Sequence, residues 1–523
     1  MGDRDVPDHL IVGTGHAGIA AANALRGAGR TFEVVDVGFD LPEARAREVA
    51  GLQAQDPSAW DPAVEERLFP PQDASGTGVA ARLAFGSDFV YRTPEVLDLH
   101  TRDCEVKVSH GFGGFGNVWG AAMLPYDQRA LRAWPVSMGD MAEAYRRVLE
   151  FVPLSGERDD LERDYPLYTD SVGQVRRSPW TEALSEVFGR RRDALARAGI
   201  RTGRARLAVE TRGGASTCRY CSRCLDGCPY GAIFNPQDAW RRLEGDGVRI
   251  HRGQYALSFS ETEDGVELVT RDLAAGERRT WRARRLYLAT GHLSTARMIL
   301  RSLERWDEPV RVADSQYFFF PVLAWKGVQG DPQFTLAEMF AEVSNEALST
   351  RDVHMQIYGL NRIFAQTLRS MVPLPMPLGW LERRFFLFQG FLHSEDSGHL
   401  ELTVRRTDDD MDRVEVRGVP NPRALEVARG VRRLFRPHLR RFGLVPPVGL
   451  TIVPPGRSFH AGGSFPMGGD HPVLRSDRVG RPAHFRRTHI VDSAMFSDVA
   501  GSSIAFTIMA NADRVVRESL ALE

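Results

Sequence analysis

The chain is 523 residues long, 43% hydrophobic and 26% charged, with a formal net charge of −1 at pH 7. This length exceeds one small core and predicts two intertwined domains. The balanced charge excludes a global field that draws nucleic acid, so no nucleic-acid partner is expected. Lysine occurs only at Lys107 and Lys326, leaving arginine as almost all of the basic content. No apolar stretch approaches the ~20 residues that span a bilayer. The first strand follows the N-terminus too closely to leave room for a signal peptide. A cytoplasmic location is therefore expected, with no transmembrane segment and with thiols kept reduced.

In chain order, "HLIVGTGHAGIAAANALRGAGRTFEVVDVG" comes first. It predicts a strand at His9–Val12, a glycine-rich turn, a helix of small residues, and a second strand ending at Asp36. Gly13, Gly15 and Gly18 fit G-x-G-x-x-G: a tight turn, a close backbone approach to a pyrophosphate, and close packing of helix on strand. Asp36 lies 18 residues beyond Gly18, placed to accept hydrogen bonds from ribose hydroxyls. An acid there favours FAD or NAD over NADP, and two framing strands make the motif far more specific than the glycines alone.

A second glycine-rich stretch, "GFGGFGNVWGAAMLPYD", spans 111–127 and lets backbone lie against something flat or bulky. "ERDDLERD" follows and reads as a mixed-charge solvated face or turn, as does "RRTDDDMDR" later in the chain. "CRYCSRCLDGCPYGAIFN", residues 218–235, holds Cys218, Cys221, Cys224 and Cys228 in the spacing C-x2-C-x2-C-x3-C, with Pro229 next. This is the bacterial ferredoxin run for iron–sulfur ligation, with Cys228 or the distant Cys104 closing the site, or one iron lacking a thiolate. Zinc is an alternative, although zinc sites usually pair two short units across a longer spacer. Unmetallated or disulfide-bonded cysteines are the other alternative. "GVELVTRDLAAGERRTWRA" predicts a β-hairpin, and "RARRLYLATGHLSTARMIL" a strand running into a helix. "YFFFPVLAW" and "FFLFQGF" read as core strands or pocket walls. Residues 371–379 are too proline-rich for a helix and predict a surface loop. Its apolar flanks suit an entrance for a large or lipidic substrate, a membrane contact, or the core of a sheet.

The C-terminus supplies "RSFHAGGSFPMGGD" and "IVDSAMFSDVAGSSIAFTIMANADR". With the first glycine motif and "GGFGNVWG", in this order, these stretches resemble the glucose-methanol-choline (GMC) family of FAD-dependent oxidoreductases. The tryptophan closing "GGFGNVWG" is most similar to the pyranose oxidase-like branch, and the four-cysteine run stands as an insertion. The resemblance implies an α/β fold: a discontinuous Rossmann-like FAD-binding domain and an α+β substrate domain built on an antiparallel sheet. The FAD-binding domain would take 1–50, 100–130, 205–302 and 450–523, with the cysteine loop at 216–235. The substrate domain would take 130–205 and 303–450. Gly13, Gly15, Gly18 and Asp36 would hold the ADP half of FAD. Gly113, Gly114, Asn117 and Val118 would lie against the isoalloxazine, and Asp492 and Ala494 near the pyrophosphate and ribityl chain. Val118 stands where a histidine can tether flavin in that branch, so FAD is expected to be dissociable.

Alcohol oxidation removes a hydroxyl proton while the carbon gives up hydride, and histidine is suited to be the base. His460 matches the family's catalytic histidine. Ser503 occupies the place of its second histidine or asparagine, yet serine cannot take a proton at neutral pH. His292, Asn117 or Tyr255 are alternatives for that second role, while His16, His110, His484 and His489 read as structural. The expected function is an FAD-dependent dehydrogenase oxidising a CH–OH group of a sugar, glycoside or other alcohol. Its electrons would pass through a 4Fe–4S cluster to a redox protein or quinone. The alternatives are an electron-transfer flavo-iron–sulfur protein, and a flavin-dependent desaturase or isomerase with a structural cluster.

Overall fold

The structure is a computed structural model that describes residues 7–70, 82–330, 334–359, 361, 380–381, 383–407, 411–440, 443–446 and 449–522. It is a mixed α/β fold with one parallel sheet and three further sheets. The parallel sheet runs in the order Thr488–Ile490, Arg285–Leu288, His9–Val12, Phe32–Val35, Arg249–His251. His9–Val12 and Arg285–Leu288 are covered on both faces, which explains their uninterrupted apolar runs. Helix His16–Gly27 rises from the first strand and buries Ala17–Ala22, Ala24 and Leu25. Helix Ala505–Leu520, from the far end of the chain, packs against it. The small residues of both helices permit that close approach. A Cβ at Gly18 would run into the carbonyl oxygen of Gly13. The predicted hairpin forms as Val266–Asp272 and Arg278–Ala283 and takes Gln254–Glu261 as a third strand.

The large antiparallel sheet runs Leu444–Val445, Tyr317–Ala324, Phe385–Phe391, Val353–Gly359, Met339–Val343, Ile200–Arg204, with Thr451–Ile452 pairing alongside Tyr317–Ala324. Strand alternation divides its aromatic content. Phe318, Phe320, Met355, Ile357, Phe386 and Phe388 point into a core closed by helix Pro422–Arg440. That helix offers Ala424, Val427, Ala428, Val431, Phe435 and Leu439, an apolar stripe at helical spacing. Tyr317, Phe319, Gln356, Tyr358, Leu387, Gln389 and Phe391 take the other face and line a cavity. The two aromatic stretches are thus core strands and pocket walls at once. A five-stranded sheet, Ala461–Gly462, Val310–Asp314, His399–Arg405, Arg413–Val419, Asp98–Arg102, joins this unit to the parallel sheet.

"ERDDLERD" forms turns as expected, but neither run is solvated throughout. In "ERDDLERD", Asp159 turns inward to the 1% exposed Arg206 at 2.8 Å, and Asp164 accepts from Arg201. In "RRTDDDMDR", Asp412 is 2% exposed and bridges Arg297 and Arg301 of helix His292–Ser302, each at 2.8 Å. Both runs carry a charge that a buried arginine requires. The proline-rich 371–379 lies outside the described residues. No helix among the described residues is long and apolar enough to cross a membrane.

Asp412→Asn removes the carboxylate shared by two largely buried guanidiniums. It should lower the free energy of unfolding by about 3–5 kcal/mol. Chemical denaturation of the variant checks this; an unchanged midpoint would show that water reaches both arginines.

Candidate functional site

A cavity of about 630 Å³ extends from the first glycine-rich turn to the face of the large sheet. At one end it is lined by Gly13, Thr14, Gly15 and Asp36. Helix His16–Gly27 begins here with Gly15 as N-cap and no side chain capping its first amides, so those amides are open to an anion. Nothing lies within 4 Å of where a Cβ of Gly15 would stand, which leaves room for a phosphate against bare backbone. His16 lines the same region with Nε2 buried and unpartnered, and burial lowers its pKa to about 4. Thr14 Oγ1 donates to Asp36 and accepts from the Gly113 amide at 2.9 Å. Trp240 Nε1 donates to the Thr14 carbonyl at 2.7 Å. Burial raises the Asp36 carboxyl to about 7, against the lowering effect of the Thr14 hydroxyl. Asp492 accepts from the Gly291 and Ala494 amides and from Thr295, yet burial still raises it to about 6.

At the other end stands His460. Its amide donates to Ser458 Oγ, and Ser458 donates to Asp314, whose carboxylate also accepts from the Gly456 amide at 2.9 Å. Burial raises Asp314 to about 7. The His460 ring stacks on Phe391 at 5.0 Å. Its Nδ1 is buried and unpartnered, which leaves Nε2 as the nitrogen that can meet a molecule in the cavity. Burial lowers the His460 pKa to about 4, so the imidazole is neutral and able to accept a proton at pH 7.

The cavity brings together Gly13, Gly15, Asp36, Gly114, Val118, Asp492, His460 and Ser503. Gly18, Gly113, Asn117 and Ala494 do not line it. Asn117 instead donates to the Phe112 and Gly114 carbonyls, both at 2.9 Å, and accepts from Asn235, stapling the second glycine-rich stretch. Gly113 meets Gln237, and Ala494 is fully buried behind Asp492. These four act on the shape of the wall, not as its surface. Of the alternatives for the second catalytic role, Tyr255 packs with Val37 and Leu257 near Asp36, and His292 opens the helix beside Gly291, so neither stands at the His460 end. The sequence reading missed Thr14, Asp314 and Ser458. A hydroxyl between the first two glycines was visible, but its two partners lie 22 and 99 residues away.

The four clustered thiols occupy one loop, close enough that their charges would act on one another. All are free. Nearby backbone amides oppose the effect of burial on each thiol: Tyr220 for Cys218, Arg223 for Cys221, Thr335 for Cys224, and Tyr230, Ala232 and Ile233 for Cys228. Burial pushes Cys218 up to about 11 and Cys221 up to about 12, and raises Cys224 and Cys228, so unligated they are neutral thiols. No group of three or more His, Cys, Asp or Glu among the described residues is placed to hold a metal ion. Cys104 is elsewhere, its Sγ 3.4 Å from the Val416 carbonyl, and does not close this loop as the spacing allowed. The segment 43–70 covers the loop: Tyr230 donates to the Gln55 carbonyl, and Glu65 pairs with Arg223.

No family model matches this chain, and no curated protein matches it in sequence. The fold is similar to that of the crystal structure of pyridoxine 4-oxidase from Mesorbium loti. The two share 15% sequence identity at a TM-score of 0.61, over 98% of this chain and 99% of that one. The likeness covers the parallel sheet and the antiparallel sheet together.

Thr14→Val keeps the side-chain shape and removes the hydroxyl. It leaves Asp36 and the Gly113 amide without their shared partner, each a loss of about 1–3 kcal/mol. Nucleotide retention through gel filtration should fall in the variant while the fold persists by circular dichroism.

Proposed function

We propose that the protein is an FAD-dependent oxidoreductase of the GMC type that oxidises a CH–OH group. One observation carries the reading: a single cavity joins the glycine-rich turn at Gly13 and Gly15, with Asp36, to His460, whose imidazole is neutral at pH 7. Gly13, Gly15 and Asp36 would hold the ADP part, with Gly114, Val118 and Asp492 further along. The unpartnered His16 Nε2 and the uncapped amides suit a pyrophosphate. The fold shared with a pyridoxine 4-oxidase agrees with such chemistry.

Bound FAD supplies a two-electron acceptor for the hydride that leaves the carbinol carbon. His460 Nε2 takes the hydroxyl proton, so the alcohol loses two hydrogens and becomes a carbonyl. The Asp314–Ser458 hydrogen bonds hold the His460 loop, and the Phe391 ring fixes the plane of the imidazole. Ser503 lines the cavity and can donate to the substrate oxygen.

We further propose that Cys218, Cys221, Cys224 and Cys228 hold a 4Fe–4S cluster, which would pass electrons singly to a redox protein or quinone. The amides near all four sulfurs support this, because such donors stabilise sulfur-borne negative charge. A cubane is bulkier than one ion, so its thiolates stand too far apart to close on a single metal. Phe85 belongs both to the apolar cluster covering Cys221 and Cys228 and to the one holding Phe115 and Val118. This favours a dehydrogenase over an oxidase.

His460→Ala should slow anaerobic flavin bleaching by substrate about 10²–10⁴-fold while flavin content is kept. In the native protein the same rate should fall only as pH drops towards about 4, where His460 protonates. A rate unmoved by the substitution assigns the base elsewhere. Protein purified without oxygen should contain about four irons and four acid-labile sulfides per chain. Flavin without iron would return the thiols to a structural role and favour an oxidase.

A further inference from the structure

The outer half of the cavity, towards His460, carries an excess of positive charge. Its walls include Arg82, Lys107 and Arg457, against one carboxylate, Glu105. The other two acids of the cavity, Asp36 and Asp492, belong to the nucleotide end, and Arg297 there is matched by Asp412. Arg457 pairs with Glu105 on its solvent side while its Nε donates to Tyr317 Oη at 3.2 Å. Arg82 lines the same cavity, bonds the Tyr358 hydroxyl, donates to the Val118 carbonyl at 3.4 Å, and lies close enough for its charge to act on the Tyr317 phenol. No carboxylate pairs with Arg82 among the described residues. Lys107, one of two lysines in the chain, stands 5.2 Å over the Tyr91 ring. Tyr317 is 5.7 Å from Phe391, and Phe391 is stacked on His460. Two guanidiniums therefore act on one phenol that is linked to the proposed base through the Phe391 ring, on a wall that also carries the neutral Gln356, Gln389, Tyr358 and Ser503.

We infer that the substrate is an anionic alcohol, its carboxylate or phosphate held between Arg82 and Arg457 at Tyr317 while its carbinol lies at His460. This rests on the proposed alcohol oxidation. The physical ground is that guanidinium matches both oxyanions with paired hydrogen bonds, which strengthen in a partly desolvated cleft. Lys107 at the rim adds attraction at longer range and speeds encounter. A neutral sugar would give Arg82 no countercharge, and no carboxylate among the described residues pairs with it.

The test is isothermal titration of the protein as isolated with three non-reacting ligands: benzoate, phenyl phosphate and the neutral isostere benzamide. At least one anion should bind about 10- to 100-fold tighter than benzamide, and added salt should weaken the anion alone. The stronger of the two anions identifies carboxylate or phosphate as the natural group. Arg82→Met and, separately, Arg457→Met should each cost the anion about tenfold and leave benzamide unchanged, with melting curves confirming that each variant folds. Equal binding of anion and benzamide overturns the inference, as does a variant that weakens all three alike, which would place Arg82 in service of the wall or the flavin. Failure of the parent reading looks different: no flavin in the purified protein, and no alcohol, charged or neutral, that bleaches it.

Discussion

One hydroxyl holds the glycine-rich end of the cavity together. Thr14 Oγ1 donates to Asp36 and accepts from the Gly113 amide, and the carbonyl of the same residue accepts from Trp240. These partners are 22, 99 and 226 residues away along the chain. The first turn, the second glycine-rich stretch and the helix Pro236–Gly245 after the cysteine loop are therefore set by one residue. Trp240 has no exposed surface and sits 3.5 Å from where a Cβ of Gly18 would be, so the helix packs on the turn as well as bonding to it. The cavity wall at Gly114 and Val118 takes its position from this junction, since it follows directly from Gly113.

The other end depends on strand alternation. Three neighbouring strands of the large sheet direct every second side chain into the cavity and the rest into the core beneath helix Pro422–Arg440. Register keeps the cavity face coherent: Phe319 is opposite Gln389, which is opposite Gln356. A one-residue slip would bury the glutamines and expose phenylalanines, so the apolar core behind the sheet fixes which polar groups reach the site.

The interior also sets the protonation of the site, with opposite signs for acids and imidazoles. Asp36 and Asp314 at about 7 and Asp492 at about 6 bind protons more tightly folded than unfolded. Their contribution to stability is full below pH ~4 and is lost as pH rises through 6 to 7. His16, His292, His460 and His489 are lowered to about 4. Theirs is full above pH ~6.5 and is lost as pH falls towards 4. Bringing the negative pyrophosphate of a dinucleotide to the site would oppose ionisation of the acids and favour protonation near His16. His460, at the far end, remains the neutral acceptor.

The sequence by itself determined the local elements: the first strand, turn and helix, Asp36 at the end of the second strand, the hairpin, and the strand that precedes helix His292–Ser302. Period and glycine spacing are short-range signals, and short-range sterics settle them. It also set the spacing of the four cysteines and the place of His460 behind a glycine-rich turn. Only the tertiary structure decided that Asn117 staples the wall instead of facing the cavity, that Cys104 stands away from the other thiols, and that Asp412 is buried between two arginines. It alone brought Arg82, Tyr317 and Arg457 to the wall of one cavity, three residues spread over 375 positions of chain. A charge in a polar run reads as solvated until a distant buried partner appears. Such partners are chosen by the packing of sheets whose strands come from opposite ends of the chain, and no local pattern records that choice.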